Sequence, residues 1–198
     1  MLATSEIESY REDGLVIPRD FRLSETELDC LHDAVDSVIR ANPDTPTDFL
    51  FNVHLDRFPP LRLVGHSAFT SLVTRHEILD MVEQLIGPDI INWATHLFCK
   101  QATTGREVPW HQDAQYIHLL GNALNIFIAM VRIAPEAANL WIAPRSHTRG
   151  VQPSENNTTT APGHHQAVIE PDNGFCLPTL EPGDACLFDR LTYHRSQT

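Results

Sequence analysis

The sequence has little positive charge for its size. Lys and Arg total 14 against 26 Asp and Glu, which gives a formal net charge of −12. Nucleic acids and anionic membrane surfaces bind proteins through a basic footprint, so this charge argues against both as partners. It also disfavours a polyanionic substrate such as a CoA thioester, unless a local basic patch outweighs the average.

The sequence also lacks a long hydrophobic run and paired cysteines. No window approaches the roughly 20 apolar residues that a membrane-spanning helix needs. Residues 1–11 are polar and acidic, without the apolar core of a signal peptide, so the cytoplasm is the expected location. The four cysteines show no C-x-x-C spacing and lie in apolar runs, which predicts small buried side chains rather than disulfides. They are Cys30, Cys99, Cys176 and Cys186.

The first half of the chain has helical signals. Residues 6–12 predict a short helix that Gly14 stops, and Ser24 to Glu27 form a capping box that opens a longer helix ending near residue 42. A third helix is predicted over about residues 74–86, with Gly87 and Pro88 as its stop. With 198 residues and 42% apolar content, one domain covering residues 1–198 is expected.

From about residue 90 the apolar pattern changes to period two, which is typical of strands. The strand-like segments are residues 92–101, 108–116, 125–130 and 185–194. Helices followed by strands fit an α+β, mainly β protein: a double-stranded β-helix, or jelly roll, with N-terminal helices packed on one outer face. Residues 152–165 contain few apolar side chains and predict a long, mobile surface loop over the site.

The chemistry centres on the tripeptide His111-Gln112-Asp113 and the distant His194. Two histidines and one carboxylate are the ligand set of non-haem Fe(II) oxygenases, which leaves coordination positions open for co-substrate and oxygen. On a strand, residues i and i+2 share a side, so His111 and Asp113 should face one cavity while Gln112 faces away. His194 ends an apolar run, and its strand would have to close onto the first.

An isolated H-x-D is weak evidence in a chain with 11 histidines. Its setting is more specific, because residues 108–116 resemble the iron-binding strand of the phytanoyl-CoA dioxygenase family, whose members are Fe(II)- and 2-oxoglutarate-dependent oxygenases. Residues 125–130 resemble the family's next apolar strand, where an aromatic often stands at the place of Phe127. Residues 139–150 resemble its N-G-x-L-x-x-x-P-G-S-H-x-x-G segment, residues 181–184 its turn, and residues 194–196 its H-x-S. The resemblance covers about residues 14–198.

The sequence departs from the family pattern at three places. The spacing at residues 138–140 differs from N-G-x-L, and Arg145 stands where the family usually has Gly. The family also has an Arg about ten residues after the distal His, which pairs with the far carboxylate of 2-oxoglutarate, whereas this sequence ends at Thr198. We therefore expect either truncation before the final strand or another cation, with Lys100 as the candidate. Arg195 should point away from the cavity, since it directly follows His194.

The resemblance implies that His111, Asp113 and His194 bind Fe(II) and form the catalytic centre. It implies 2-oxoglutarate and O2 as co-substrates, with Ser196 bonded to the 2-oxoglutarate carboxylate and Phe127 as a further cofactor-binding residue. Lys100 is the cofactor-binding candidate that would take the place of the absent Arg. The expected reaction hydroxylates an unactivated C–H of a small molecule and releases succinate and CO2. Retention of Asp113 favours hydroxylation or desaturation over halogenation. The expected partner is thus a small-molecule substrate, such as a secondary metabolite, modified amino acid, acyl thioester or organophosphonate, and the chain is expected to be a monomer or homodimer.

Two other functions remain open from the sequence. One is a catalytically impaired metal- or ligand-binding relative without the 2-oxoglutarate-binding Arg, and the other is a cupin-like metal protein of another activity. The remaining histidines favour ordinary roles: His147 bracing a turn, the pair His164 and His165 in a polar loop, and His96 and His118 in the core, on the surface or lining the cavity. The three tryptophans predict core positions, and they are Trp93, Trp110 and Trp141.

Overall fold

The computed structural model describes residues 1–48, 50–100, 105–117, 120–136, 139–158 and 164–197. These residues form two compact units, one of residue 1 with residues 23–105 and the other of residues 2–22 with residues 106–198. The described residues contain four α-helices: α1 Thr4–Asp13, α2 Glu25–Ala41, α3 Ser67–Val73 and α4 His76–Ile86. None of these helices is long and apolar enough to cross a membrane.

The predicted stop of the first helix and both ends of the second are confirmed, whereas the first helix begins two residues earlier than predicted. Helix α1 ends at Gly14, whose φ of 79° is in the left-handed region that glycine adopts without strain. Helix α2 begins after Ser24, and the capping box forms because the Ser24 hydroxyl accepts from Glu27 N while the Glu27 carboxylate accepts from Ser24 N. Its apolar stripe is buried, and it consists of Leu28, Leu31, Ala34 and Val38.

The third predicted helix differs from the observed one at its start. Helix α4 begins at His76, and a separate helix, α3, precedes it. With only seven residues, α3 is too short to show a helical repeat in the sequence, although its Phe69 is buried. The carboxylate of Glu27 on α2 pairs with the Arg75 guanidinium just before α4, so the two helix starts are joined.

The described residues contain thirteen short strands: β1 Leu15–Val16, β2 Leu50–Phe51, β3 Arg57–Phe58, β4 Leu63–Val64, β5 His96–Leu97, β6 Val108–His111, β7 Leu124–Ile128, β8 Leu140–Ile142, β9 Ser154–Asn156, β10 His165–Ala167, β11 Phe175–Cys176, β12 Ala185–Asp189 and β13 His194–Ser196. All the ladders are antiparallel. In residues 23–105, β2 pairs with β5 and β3 pairs with β4.

The second unit contains the two main sheets. One has the order β11-β8-β13-β6, and the other has the order β1-β12-β7. Side chains from both sheets form one buried cluster, which includes Leu15, Ile142 and Phe188. Helix α1 packs beside β1 and β12. The protein is therefore mainly β, with two antiparallel sheets packed face to face as in a double-stranded β-helix, as the sequence predicts.

Three predicted segments differ from the structure. Only β5 is a strand within described residues 92–100, where Trp93 is 57% exposed, so its expected core position is wrong. Residues 185–194 are not one strand but two, β12 and β13, which lie in different sheets. A turn in which Thr192 N donates to Asp189 O redirects the chain between them, and hydrophobic periodicity cannot show such a turn. Of the four free cysteines only Cys186 is fully buried, and Cys30 is exposed.

The expected loop over residues 152–165 contains regular structure at both ends. Strands β9 and β10 pair as an antiparallel ladder, with Asn156 opposite His165 and Ser154 opposite Ala167. Residues 159–163 lie outside the described residues, and so does His118. The segment predicted as a long surface loop therefore begins and ends in paired strands.

Candidate metal centre

His111, Asp113 and His194 converge on one point. Each offers a ligand atom, and these atoms all lie within 4.8 Å of one another. Asp113 Oδ1 lies 3.5 Å from His111 Nε2, and Asp113 Oδ2 lies 3.7 Å from His194 Nε2. Ligands bound at about 2.0–2.2 Å to one ion sit roughly 3 Å apart when adjacent, so a small contraction would close this set around a divalent metal. The predicted convergence is confirmed.

The sheet register places the two histidines side by side. His111 ends β6 and His194 begins β13, and the two residues are direct partners in the antiparallel ladder. Their ring centroids lie 4.1 Å apart. Asp113 is not on the strand as expected, because the chain turns into a short 3-10 helix at Asp113–Gln115. The carboxylate still faces the histidines, and the first residue of that turn supplies it.

Backbone carbonyls orient both imidazoles. His111 Nδ1 lies 2.8 Å from Pro109 O, and His194 Nδ1 lies 3.0 Å from Thr192 O. A carbonyl only accepts, so Nδ1 must carry the proton and Nε2 must present its lone pair to the centre. Hydrogen bonding at the other ring nitrogen is the usual way in which proteins fix metal-binding histidines. The donor set and its orientation therefore fit a divalent cation.

The electrostatics favour the metal-binding protonation states. Burial and the neighbouring His111 lower the pKa of His194 to about 4, against the opposing effect of Asp113. Burial alone would raise the pKa of Asp113, but the neighbouring imidazoles of His194 and His111 outweigh it and lower the pKa to about 2. Near neutral pH His194 is thus uncharged and Asp113 is ionised, so neither must lose a proton before it binds metal.

Gln112 faces away from the centre, as predicted, and fastens the surrounding loops. It is fully buried. Its Nε2 donates to Gly150 O at 3.0 Å and Leu191 O at 2.5 Å, and its Oε1 accepts from Gln152 N at 2.8 Å. One side chain therefore ties the metal-binding turn to two other chain segments.

Two further side chains beside the centre were not found from the sequence. The ring of Tyr116 packs edge-on against His111 and His165, and its hydroxyl accepts from His165 N at 2.5 Å. Asn125 on β7 helps to lower the pKa of Asp113. Its buried Nδ2 has no hydrogen-bond partner within normal distance in the described part of the chain. The hairpin β9–β10 thus reaches the metal centre through Tyr116, and no local pattern in the sequence indicates that contact.

The three residues expected to bind the co-substrate lie in different places. Ser196 is on β13 two residues after His194, opposite Val108 and Leu140. Phe127 is on β7 opposite Cys186 and packs against the buried cluster between the sheets. Lys100 follows β5 in the unit of residues 23–105. A role in co-substrate binding stays a prediction for all three.

The other histidines have contacts of ordinary kinds. His147 Nε2 lies 3.2 Å from Arg11 O, in keeping with a bracing role. His165 Nδ1 lies 3.0 Å from Ser154 Oγ, within the hairpin. The ring of His96 packs against Phe51 and Phe98. Among the described residues, the only group of three potential ligands that fits one ion is His111, Asp113 and His194.

Comparison with known proteins links this centre to a family. The sequence model of the phytanoyl-CoA dioxygenase (PhyH) family matches residues 10–198. The chain is 35% identical over 95 residues to phytanoyl-CoA dioxygenase domain-containing protein 1 of Mus musculus, a match that covers 47% of this chain and 30% of that protein. It is 26% identical over 204 residues to a methylphosphonate hydroxylase of Gimesia maris, which covers 98% of this chain and 74% of that protein.

Solved structures share the fold over nearly the whole chain. The non-heme monooxygenase ThoJ in its apo form has a TM-score of 0.76 at 24% identity, covering 96% of this chain and 70% of that chain. EctD from S. alaskensis with 2-oxoglutarate and 5-hydroxyectoine has a TM-score of 0.72 at 17% identity, covering 99% and 70%. EvdO2 from Micromonospora carbonacea var. aurantiaca with 2-oxoglutarate has a TM-score of 0.70 at 19% identity, covering 99% and 84%.

Proposed function

The chain belongs to the phytanoyl-CoA dioxygenase family, and from this premise we propose that it is a non-haem Fe(II)- and 2-oxoglutarate-dependent dioxygenase. The proposed reaction hydroxylates an unactivated C–H of a small molecule with release of succinate and CO2. The observation that carries the proposal is the convergence of His111, Asp113 and His194, with both Nε2 atoms oriented inward, between the sheets of this fold. Such a set leaves coordination positions open for a chelating co-substrate and O2.

Each ligand has a defined part in this proposal. His111 and His194 would hold the iron through Nε2, and Asp113 would hold it through the carboxylate that is already ionised at neutral pH. Bound Fe(II), together with 2-oxoglutarate and O2, would supply the oxidising chemistry. Because Asp113 occupies the position that a halide would need, the site favours hydroxylation. Tyr116 and Phe188 flank the two imidazoles and would limit the access of water to them.

We further propose that Ser196 and Lys100 bind the carboxylate of 2-oxoglutarate and that Phe127 lines its site. Ser196 is supported by its place on β13, two residues from His194. The family resemblance suggests Ser196 and Phe127, whereas Lys100 is a candidate because the given sequence lacks the family's Arg and a cation forms the stronger hydrogen bonds to a carboxylate. Replacing Ser196 by Ala should raise the KM for 2-oxoglutarate more than it lowers the affinity for the metal alone.

The substrate is proposed to be a small molecule of low negative charge. A net charge of −12 would repel polyanions on average. The Gimesia maris relative is named as a methylphosphonate hydroxylase and matches 98% of this chain, so methylphosphonate belongs among the first compounds to test. Other small organophosphonates and modified amino acids complete a first panel.

An anaerobic titration tests the proposal most directly. Fe(II) and 2-oxoglutarate added to the wild-type protein should produce a visible metal-to-ligand charge-transfer band, and O2 should then yield succinate. Asp113→Ala should lose both, because it removes the one anionic ligand of the set. Metal binding without the band would instead favour an impaired relative or a cupin-like protein of another activity. Undiminished succinate formation by Asp113→Ala would refute the ligand assignment.

A further inference from the structure

An arginine lies between two tryptophans on the outer face of the four-stranded sheet. The Arg195 guanidinium carbon lies 5.1 Å from the centroid of the Trp110 ring and 4.8 Å from that of the Trp141 ring. The three residues come from β6, β13 and β8, which are adjacent strands. Arg195 and Trp141 are also direct partners in the ladder. The stack therefore runs across the strands that carry His111 and His194.

Strand alternation places this stack directly behind the metal ligands. Leu140 and Ile142 join the cluster between the two sheets, whereas Trp141, between them in sequence, packs with Trp110 in a separate cluster. His194 lies on the inner side with Phe188, at a ring-centroid distance of 4.7 Å. Adjacent residues on a strand face opposite sides, so Arg195 projects outward, as expected from the sequence.

Within the described ranges Arg195 makes no ion pair, and its contacts in the stack are with the two rings. The Arg195 Nε is buried and has no hydrogen-bond partner in the described part of the chain. Gly174 leaves room for the Trp110 ring, because a Cβ there would lie 2.5 Å from that ring. A guanidinium with an aromatic ring on each side is attracted to both through cation–π and stacking interactions.

The ladder needs such support at this point. The pairing of β13 with β6 shifts register between His194 and Ser196, next to the metal ligand. Such an irregularity leaves a residue unpaired, disrupts the ladder locally and bends the strand. Cross-strand side-chain pairs are the other means of fixing neighbouring strands. The Trp110–Arg195–Trp141 stack bridges this irregularity from the opposite face.

We propose that Arg195 is a positioning residue for the metal centre: its stacking between Trp110 and Trp141 fixes β6 against β13 and so keeps the imidazoles of His111 and His194 in binding register. The inference rests on the proposed function only in taking His111, Asp113 and His194 as the metal-binding set. It requires no contact between Arg195 and metal, co-substrate or substrate.

Anaerobic titration with Co(II) alone, followed by its visible d–d absorption, tests this role. Arg195→Met keeps the length of the side chain but removes the planar cation, and we expect its Co(II) affinity to fall about tenfold, the range found when groups that orient ligands are lost. Arg195→Lys keeps the charge and should recover part of that loss. Arg132→Met removes an exposed arginine that pairs with Glu181 and should remain within about twofold of wild type.

The outcomes separate this inference from the proposed function. If wild-type protein fails to bind Co(II), the ligand assignment itself is wrong. If wild type binds and Arg195→Met binds equally well with the same d–d spectrum, only the positioning role is overturned. Should Arg195→Met fail to fold, Trp141→Leu provides the second test, since it retains Arg195 and removes one ring; unchanged Co(II) affinity in that variant overturns the inference as well.

Discussion

At the residue scale, Gln112 lies between the two ligands of the H-x-D motif and stabilises their arrangement without binding the metal. Gln112 supplies neither a donor to the metal nor a charge, yet its amide makes three hydrogen bonds to the backbone of Gly150, Leu191 and Gln152. Because Gln112 is fully buried, water cannot replace any of these bonds. These three hydrogen bonds therefore fix the turn that orients the Asp113 carboxylate.

Replacing Gln112 by Met should destabilise the protein strongly. Met has a similar volume but removes three hydrogen bonds to partly buried backbone groups, at about 1 kcal/mol or more for each group. We expect a loss of at least about 3 kcal/mol in the free energy of unfolding, measured by urea denaturation. Gln152→Met removes an amide that donates to Arg149 O and, at 3.4 Å, to Gly150 O, and it serves as the matched control, with an expected loss below about 1 kcal/mol. Equal effects of the two variants would contradict the anchoring role.

At the scale of single elements, the N-terminus of α2 combines a local cap with a distant partner. Glu27 accepts from Ser24 N at 2.8 Å and also pairs with Arg75. The hydrogen bond from Arg75, and then those from Ser24, lower the pKa of Glu27 to about 2. The capping box was readable from the sequence because its spacing is local, whereas Arg75 lies 48 residues away and has no such signature.

This carboxylate predicts a pH dependence of stability. A group whose pKa is depressed in the folded state contributes stability above its unfolded pKa, and the contribution is lost as the pH falls through the folded pKa. For Glu27 the loss should lie between about pH 4.5 and pH 2. Glu27→Gln should lower stability at neutral pH and reduce its fall in this range, as measured by urea unfolding at several pH values. Glu25→Gln, in the same helical turn, is the control; identical pH profiles for Glu27→Gln and wild type would contradict the expectation.

At the scale of the whole molecule, the sequence predicts individual elements and ligands better than the long-range contacts that join them. The three ligands, the mainly β fold and the first two helices were predictable because motif, alternation and capping are local patterns. The split of residues 185–194 between two sheets was not, since it depends on the turn at Asp189 and Thr192. Nor could Tyr116, Asn125 or Arg195 be assigned, because their partners are defined only once distant strands have paired.

Because the ligands come from distant chain segments, metal binding should stabilise the folded state as a whole. The unfolded chain cannot hold the three side chains together, so only the folded protein gains the binding energy. At a Co(II) concentration about 100 times its Kd, we expect about 2.7 kcal/mol of stabilisation and a rise in Tm of several degrees, measured by calorimetry without oxygen. His194→Ala should show little rise, and an equal rise in both proteins would point to metal binding elsewhere.

The direct pairing of His111 with His194 restricts insertions and deletions in the turn before β13. Side chains alternate between the two faces of a sheet, so moving β13 by one position along β6 would exchange His194 for Arg195 on the inner side. A one-residue deletion among residues 190–193 that shifts β13 would therefore place Arg195 where His194 now lies, and a one-residue insertion would place Tyr193 there. The length of this turn therefore decides which side chain of β13 faces the centre, so natural and engineered variants should keep that length constant even where the residues of the turn change.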